Sequence, residues 1–316
     1  MAIAHEHSHN IAEHNRAFGL GTILNVGFVI VEAIFGFLSG SLALLADAGH
    51  NVGDVLGLFL AWGANLLMQR PPTRQHTYGW RGSSILAALL NAFILLVAVG
   101  GIVREAIGRF ANPEPVASIT VIWVAAVGTA INLATALLFV SGRKRDLNVR
   151  GAFTHMAADA GVSAGVVVVG LTIRVTNWLW LDPVVSLVIA GVIFWGTWRV
   201  LSDAFHLAMG GTPRDVDMVA LRAYLAGLPG VEDVHDLHVW GLSTAEAALT
   251  AHLVKPDPCD DDALVERATG ELQARFNIDH VTLQWERGGL AECQNRACDR
   301  KICAKEGGTG KKSFRP

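Results

Sequence analysis

Charge is scarce in this chain: only 17% of its 316 residues are Asp, Glu, Lys or Arg, against roughly 25% in soluble domains, which argues against an ordinary cytosolic enzyme. A basic excess is missing as well. With a net charge of −3 and a pI near 6.4, nothing is available to neutralise a phosphate backbone, so nucleic acid is excluded as a partner. Cysteine is absent from the first two thirds; Cys259, Cys293, Cys298 and Cys303 all lie late. That distribution does not suit a secreted disulfide scaffold, and the four are read as free thiols. The first apolar run lacks the short core and small-residue cleavage site of a secretory signal, and is read as retained. What the chain does have is apolar side chains, 52% of the total with a mean hydropathy of +0.39, far too many for a disordered chain.

Those apolar residues fall into six runs long enough to cross a hydrocarbon core, which takes about 20 helical residues. The predicted spans are 18–38, 43–68, 83–105, 116–140, 153–174 and 182–207. An even count places both termini on one side. Arg16, Arg70, Arg74, Arg81, Arg143, Lys144, Arg145 and Arg150 lie on the side of the termini, against Arg104, Arg109 and Arg174 opposite. The positive-inside bias makes the termini cytoplasmic. After Gly210-Gly211 the composition becomes that of a water-soluble module in the order α-β-β-α-β, an α+β sandwich with both helices on one face of a three-stranded sheet. A module of roughly 75 residues is small enough that dimerisation helps bury its core. The expected organisation is therefore an arm (1–17), a six-helix transmembrane bundle (18–210), the cytoplasmic α+β domain (211–290) and a flexible tail (291–316).

An ionisable residue within a membrane span costs on the order of 2.5–3.5 kcal/mol even on lenient scales, and so signals function by default. Here such residues come in matched pairs. The second span contains His50-x-x-x-Asp54 and the fifth His155-x-x-x-Asp159. Four-residue spacing puts both side chains of a pair on one helix face. Two such faces turned together offer two imidazoles and two carboxylates, a set suited to tetrahedral Zn²⁺ with its charge balanced. A single pair would equally suit interhelical hydrogen bonding; the repetition favours metal. Asp47, one turn before His50, reads as an acceptor for the His50 ring N–H or as a pore-mouth carboxylate. Asn25, Glu32 and Asn132 read as interhelical partners, with Glu32 alternatively facing an ion path. Metal ligands must lose protons to bind, so metal and protons compete; a site that changes the side it faces turns that competition into antiport.

With SGSLALLADAGHNVGDVLGL, THMAADAGVSAG, LDPVVSLVIAG and VHDLHVWGL in this order, the sequence resembles the cation diffusion facilitator family of zinc/proton antiporters over roughly residues 15–287. The resemblance implies a transport site at His50, Asp54, His155 and Asp159, and a homodimer formed through the cytoplasmic domains. It also implies cytoplasmic zinc ligands at His235, His252 and Glu286, with Gln284 departing from members that carry a further ligand there. His280 is a candidate substitute. The histidine/aspartate composition resembles zinc-selective members, and extends the candidate cargo to Cd²⁺ and Co²⁺.

Other metal candidates are less specific. His5, His7 and His9 with Glu6 fit H-E-x-x-H only formally, at a free terminus, and read either as a metal-concentrating arm or as a solvated tail. Cys293, Cys298 and Cys303 recur every five residues, and read as metal capture or as inert thiols. Loop 69–82 carries no metal expectation; its one histidine, His76, is expected to order the turn. The expectation for the whole is a non-enzymatic, multi-pass protein of a bacterial inner membrane that exports Zn²⁺ in exchange for protons. A membrane zinc sensor and an intramembrane zinc hydrolase are the alternatives.

Overall fold

The computed structural model describes residues 26–140, 147–258 and 261–287. The N-terminal histidines and the Cys-containing tail therefore lie outside the described residues, as does Cys259. The chain divides into two compact units, one comprising residues 1–63 and 87–201, the other residues 64–86 and 202–316.

The apolar runs form helices α1 (Val26–Ser39), α2 (Leu42–Met68), α3 (Ser83–Ala111), α4 (Ser118–Phe139), α5 (Leu147–Thr176) and α6 (Leu181–Ala208). Among the described residues, α2 to α6 are long and apolar enough to cross a membrane, and α1 is a shorter apolar helix. In the first unit the usual distribution is inverted. Phe37, Trp123, Val175 and Trp195 are exposed, while Glu32, Asp47, Asn51, Asp159 and Ser163 are buried. Apolar groups outside and polar groups inside suit hydrocarbon surroundings; this is a multi-pass integral membrane protein. The apolar contacts between helices centre on Leu44, Val99, Val121, Val166 and Ile189, and α4 and α5 pack along one another. Gly53 and Gly57 let α3 close on α2: a Cβ at Gly53 would lie 2.1 Å from Leu95, and one at Gly57 would lie 2.9 Å from Asn91.

The N-terminus of α2 is capped twice. Ser41 Oγ accepts from Leu44 N at 3.2 Å, and the buried carboxylate of Asp182, from the start of α6, accepts from Leu42 N at 2.8 Å and Ser41 Oγ at 2.6 Å. A carboxylate here satisfies orphan N–H donors and complements the helix dipole. Arg109 donates to the Gly40 carbonyl and sits 3.7 Å from Asp182, 3.4 Å from Glu105 and 3.3 Å from Glu114. These pairings explain why α3 runs to Ala111 rather than stopping near 105: the polar last turns stay helical because their charges have partners.

In the second unit, α7 (Met218–Ala226), β1 (Asp233–Gly241), β2 (Ala247–Val254), α8 (Asp261–Phe276) and β3 (His280–Glu286) follow the expected α-β-β-α-β order. The sheet order is β1-β2-β3, with β1 antiparallel and β3 parallel to β2; the parallel connection needs a crossover, which α8 supplies. Asp217 caps α7 by accepting from Val219 N and Ala220 N. Leu221, Leu225, Leu249, Leu253, Leu272 and Ile278 form the core. Loop 69–82 and its flanks belong to this unit. Arg81 pairs with Glu246 at 2.9 Å, Ser84 Oγ accepts from Thr244 N at 3.1 Å, and the ring of Tyr78 meets that of His280 edge-on at 5.6 Å. His76 stacks on Trp80 at 4.2 Å while its carbonyl accepts from Thr73 N and Gly79 N.

Leu272 is fully buried in the core of this module. Leu272→Ala should destabilise it by about 2–5 kcal/mol, read as faster amide hydrogen exchange across β1 to β3 in the full-length protein.

Candidate metal centres

The first centre lies where α2 and α5 face each other. His50 and Asp54 come from one helix, His155 and Asp159 from the other, each pair one turn apart. His155 Nε2 is 3.1 Å from Asp54 Oδ2 and 3.6 Å from Asp159 Oδ2; His50 Nε2 is 3.7 Å from both Asp54 Oδ2 and Asp159 Oδ1. Metal–ligand bonds of 2.0–2.1 Å at tetrahedral angles put ligand atoms about 3.3 Å apart; the four His–Asp pairs lie near that separation, with Asp54 tied to the group through the two histidines. Ligand atoms of His50, His155 and Asp159 all lie within 4.8 Å of one another. The four side chains line a cavity of about 610 Å³, with Asn91 and Thr197 as further polar groups and walls of valine and isoleucine from α5 and α6. Asp159 is buried, His50 and Asp54 are partly exposed, and His155 is more exposed still. The cluster is thus open to the cavity on the His155 side.

Asp47, expected as an acceptor for the His50 ring or as a pore-mouth carboxylate, has its Oδ2 accepting from Ser163 Oγ at 2.7 Å, and His50 Nδ1 has no hydrogen-bond partner among the described residues. The geometry of a straight helix explains the difference. Residues three apart are offset on the cylinder, and Asp47 turns to the hydroxyl on α5. Glu32 accepts from Asn51 Nδ2 at 2.9 Å, whereas both side-chain polar atoms of Asn132 are buried without a hydrogen-bond partner among the described residues.

The second centre is on the sheet. His235 and His252 are direct cross-strand partners in β1 and β2, their rings 5.5 Å apart and nearly perpendicular. Glu286, at the end of β3, bridges them: Oε2 is 3.2 Å from His235 Nε2, and Oε1 is 2.8 Å from His252 Nδ1. Two imidazoles and one carboxylate converging in this way fit a zinc-type ion by donor chemistry and by spacing. Gln284 stands beside His252 in the register, while His280 is aligned with Ala248. Four residues of strand separate those positions, about 13 Å, so His280, the candidate substitute ligand, is directed to Tyr78 instead. His238 is largely exposed and lies 3.0 Å from Asp236 Oδ1.

Asp236 is the residue that sequence reasoning missed. It occupies a bulge where the β1–β2 register shifts between His235 and His238, with a left-handed φ of 51°, and its Oδ2 is 3.7 Å from His252 Nε2. The signal was the aspartate inside the HDLH segment: the extra residue of a bulge re-aims side chains near functional sites, and Asp tolerates the left-handed region better than most.

Two His-x-x-x-Asp faces inside a lipid-facing bundle, joined in one chain to a module with its own His/His/Glu cluster, define a metal-handling membrane protein. The family profile described as the cation efflux transmembrane domain matches residues 20–207, and that of the cation efflux protein cytoplasmic domain matches residues 213–288. The chain belongs to the cation efflux, or cation diffusion facilitator, family. Among its relatives are the zinc transporter ZitB of Escherichia coli, 37% identical over 90% of this chain and 93% of that one, and the cadmium, cobalt and zinc/H(+)-K(+) antiporter of Bacillus subtilis, 33% identical over 89% and 91%. The metal cation efflux system protein CzcD of Cupriavidus metallidurans is 32% identical over 99% and 98%.

The bulge makes a backbone prediction. Asp236→Val, a β-branched residue at a positive φ, should cost about 1–2 kcal/mol more than Asp236→Gly, which loses the same carboxylate without the strain. Hydrogen exchange of the β1–β2 amides in the full-length protein distinguishes the two; equal protection in both variants would remove the strain argument.

Proposed function

We propose that this protein exports Zn²⁺ from the cytoplasm in exchange for protons, with His50, Asp54, His155 and Asp159 as the transport site. The observation that carries the reading is the spacing of those four groups, 3.1–3.7 Å between paired atoms, in a cavity inside a membrane-spanning bundle. The names of the relatives, a zinc transporter and a cadmium, cobalt and zinc/H(+)-K(+) antiporter, support the cargo and extend it to Cd²⁺ and Co²⁺. The proposed setting is a bacterial inner membrane with both termini cytoplasmic, the orientation that the Lys/Arg bias favours.

The chemistry follows from the donors. Two carboxylates offset the two charges of the ion, and two neutral imidazoles complete a tetrahedron, so loading displaces any protons held by these groups. Reprotonation makes each histidine a cation and each carboxylate neutral, which abolishes both the lone pairs and the charge balance that retain the metal. Loading while the site faces the cytoplasm and reprotonation while it faces the opposite side produce net export, with the helices rocking about a fixed site. All four corners come from side chains, leaving no ligand position for the water a hydrolase requires. His235, His252 and Glu286 would hold a second, resident Zn²⁺ in the cytoplasmic module, which supports a structural or regulatory role, and the cytoplasmic-domain match supports a homodimer formed there.

The test is zinc flux into proteoliposomes under an imposed pH gradient, with the internal pH recorded at the same time. Zinc should move opposite to protons, and Asp159→Ala should lower the flux at least ~10-fold, since even supporting residues of metal sites cost about 10–100-fold. Flux that survives Asp159→Ala would sink the proposed site; zinc binding without flux would leave a sensor. In a separate equilibrium competition with a chelator, His235→Ala should weaken one class of zinc binding by about 10–100-fold and leave the Asp159-dependent class in place.

A further inference from the structure

One turn from the proposed transport site, towards the capped end of α2, two carboxyl groups meet in the interior of the bundle. Glu32 on α1 and Asp47 on α2 are both 0% exposed. Each has one oxygen satisfied, Glu32 Oε2 by Asn51 Nδ2 at 2.9 Å and Asp47 Oδ2 by Ser163 Oγ at 2.7 Å. Their other oxygens, Glu32 Oε1 and Asp47 Oδ1, are buried and have no hydrogen-bond donor among the described residues, and the two carboxyls lie within interaction range of each other. Helices α1, α2 and α4 contain no Lys or Arg along their described lengths. Among the described residues, the charged or titratable groups acting on the pair are Asp159 from α5 and His50 from α2.

Two adjacent buried carboxylates cannot both stay ionised without a nearby cation to offset them, because desolvation and mutual repulsion act in the same direction. The smallest occupant that satisfies both orphan oxygens is a proton. We infer that Glu32 and Asp47 share one proton and form a proton-binding site, separate from the metal ligands, whose occupancy is linked to that of the metal site. The inference rests on the antiport reading above.

The linkage is electrostatic and needs no shared ligand. When a dication fills the cluster at His50 and Asp159, its field favours the fully ionised pair, and the proton leaves to water. When the metal departs, negative charge next to the pair draws one proton back. No bond other than O–H is made or broken: one proton passes from the pair to water on loading, and one is taken up from water on the opposite side on unloading. Linkage is reciprocal, so an ionised pair also tightens metal binding. The pair thus adds one proton to those displaced directly from the ligands.

Proton release per bound Zn²⁺ can be counted in the full-length detergent-solubilised protein by titration calorimetry in buffers of different ionisation enthalpy. Glu32→Gln and Asp47→Asn should each bind zinc while releasing about one proton fewer than the unmodified protein, as the one-proton linkage requires. Infrared difference spectra of the unmodified protein should show a protonated-carboxyl C=O band that shifts in D₂O, disappears on adding Zn²⁺ and is absent in Glu32→Gln. A purely structural role for the pair would change zinc affinity without moving the proton count or that band. An unchanged proton count and band in a variant that still binds zinc would overturn the inference, as would the lack of any protonated-carboxyl band in the unmodified protein, an outcome that stands even if both variants fail to fold. Zinc flux without opposed proton movement in the unmodified protein would instead refute antiport itself.

Discussion

The arrangement of the membrane unit depends on how it deals with ionisable groups in surroundings that cannot solvate them. Glu32, Asp47 and Asp159 are all buried, and each uncompensated carboxylate would cost several kcal/mol. The helices meet these demands unequally. Asp182 is fully answered by the α2 N-terminus and Arg109, and its role is structural. Among the described residues, the ion-pair partners of Asp54 and Asp159 are histidines, groups that exchange protons near neutrality and also bind metal. The difference between a carboxylate met by fixed donors and one met by titratable donors separates the structural part of this bundle from its proposed transport site.

The same contrast links the membrane site to the one on the sheet. Both bring two imidazoles to carboxylate oxygens, but the membrane set is built from two i,i+4 pairs on separate helices, whereas the sheet set comes from one cross-strand pair and a strand end. Packed helices can slide and rotate by small amounts at modest cost; a hydrogen-bonded ladder with a bulge cannot. A cluster that must release its ion suits the first scaffold, and one that keeps its ion suits the second.

Much of this was legible in the sequence because the relevant signals are local. The apolar runs, the paired His-x-x-x-Asp spacing and the α-β-β-α-β order each need only a few residues of context. Contacts across long separations were not legible. Nothing near Asp182 announces that it will cap α2, some 140 positions earlier, nothing near Arg81 points to Glu246, and the placement of Asp47 against Ser163 depends on how α2 rotates against α5. Asp236 was hidden for a different reason: a strict strand alternation would send it to the opposite face from His235, and only the bulge brings it back.

The double cap of α2 has a consequence for how the molecule is made. Asp182 opens the sixth helix, so through most of synthesis the first turn of α2 enters the bilayer with Ser41 as its only described side-chain acceptor. Its remaining donors must be held by water or lipid headgroups at the membrane boundary until α6 is inserted. The arrival of α6 therefore acts as a closing step in biogenesis: a nascent chain ending before it would hold all four proposed metal ligands of the bundle yet lack the clasp that fixes the N-terminal end of the helix bearing His50 and Asp54.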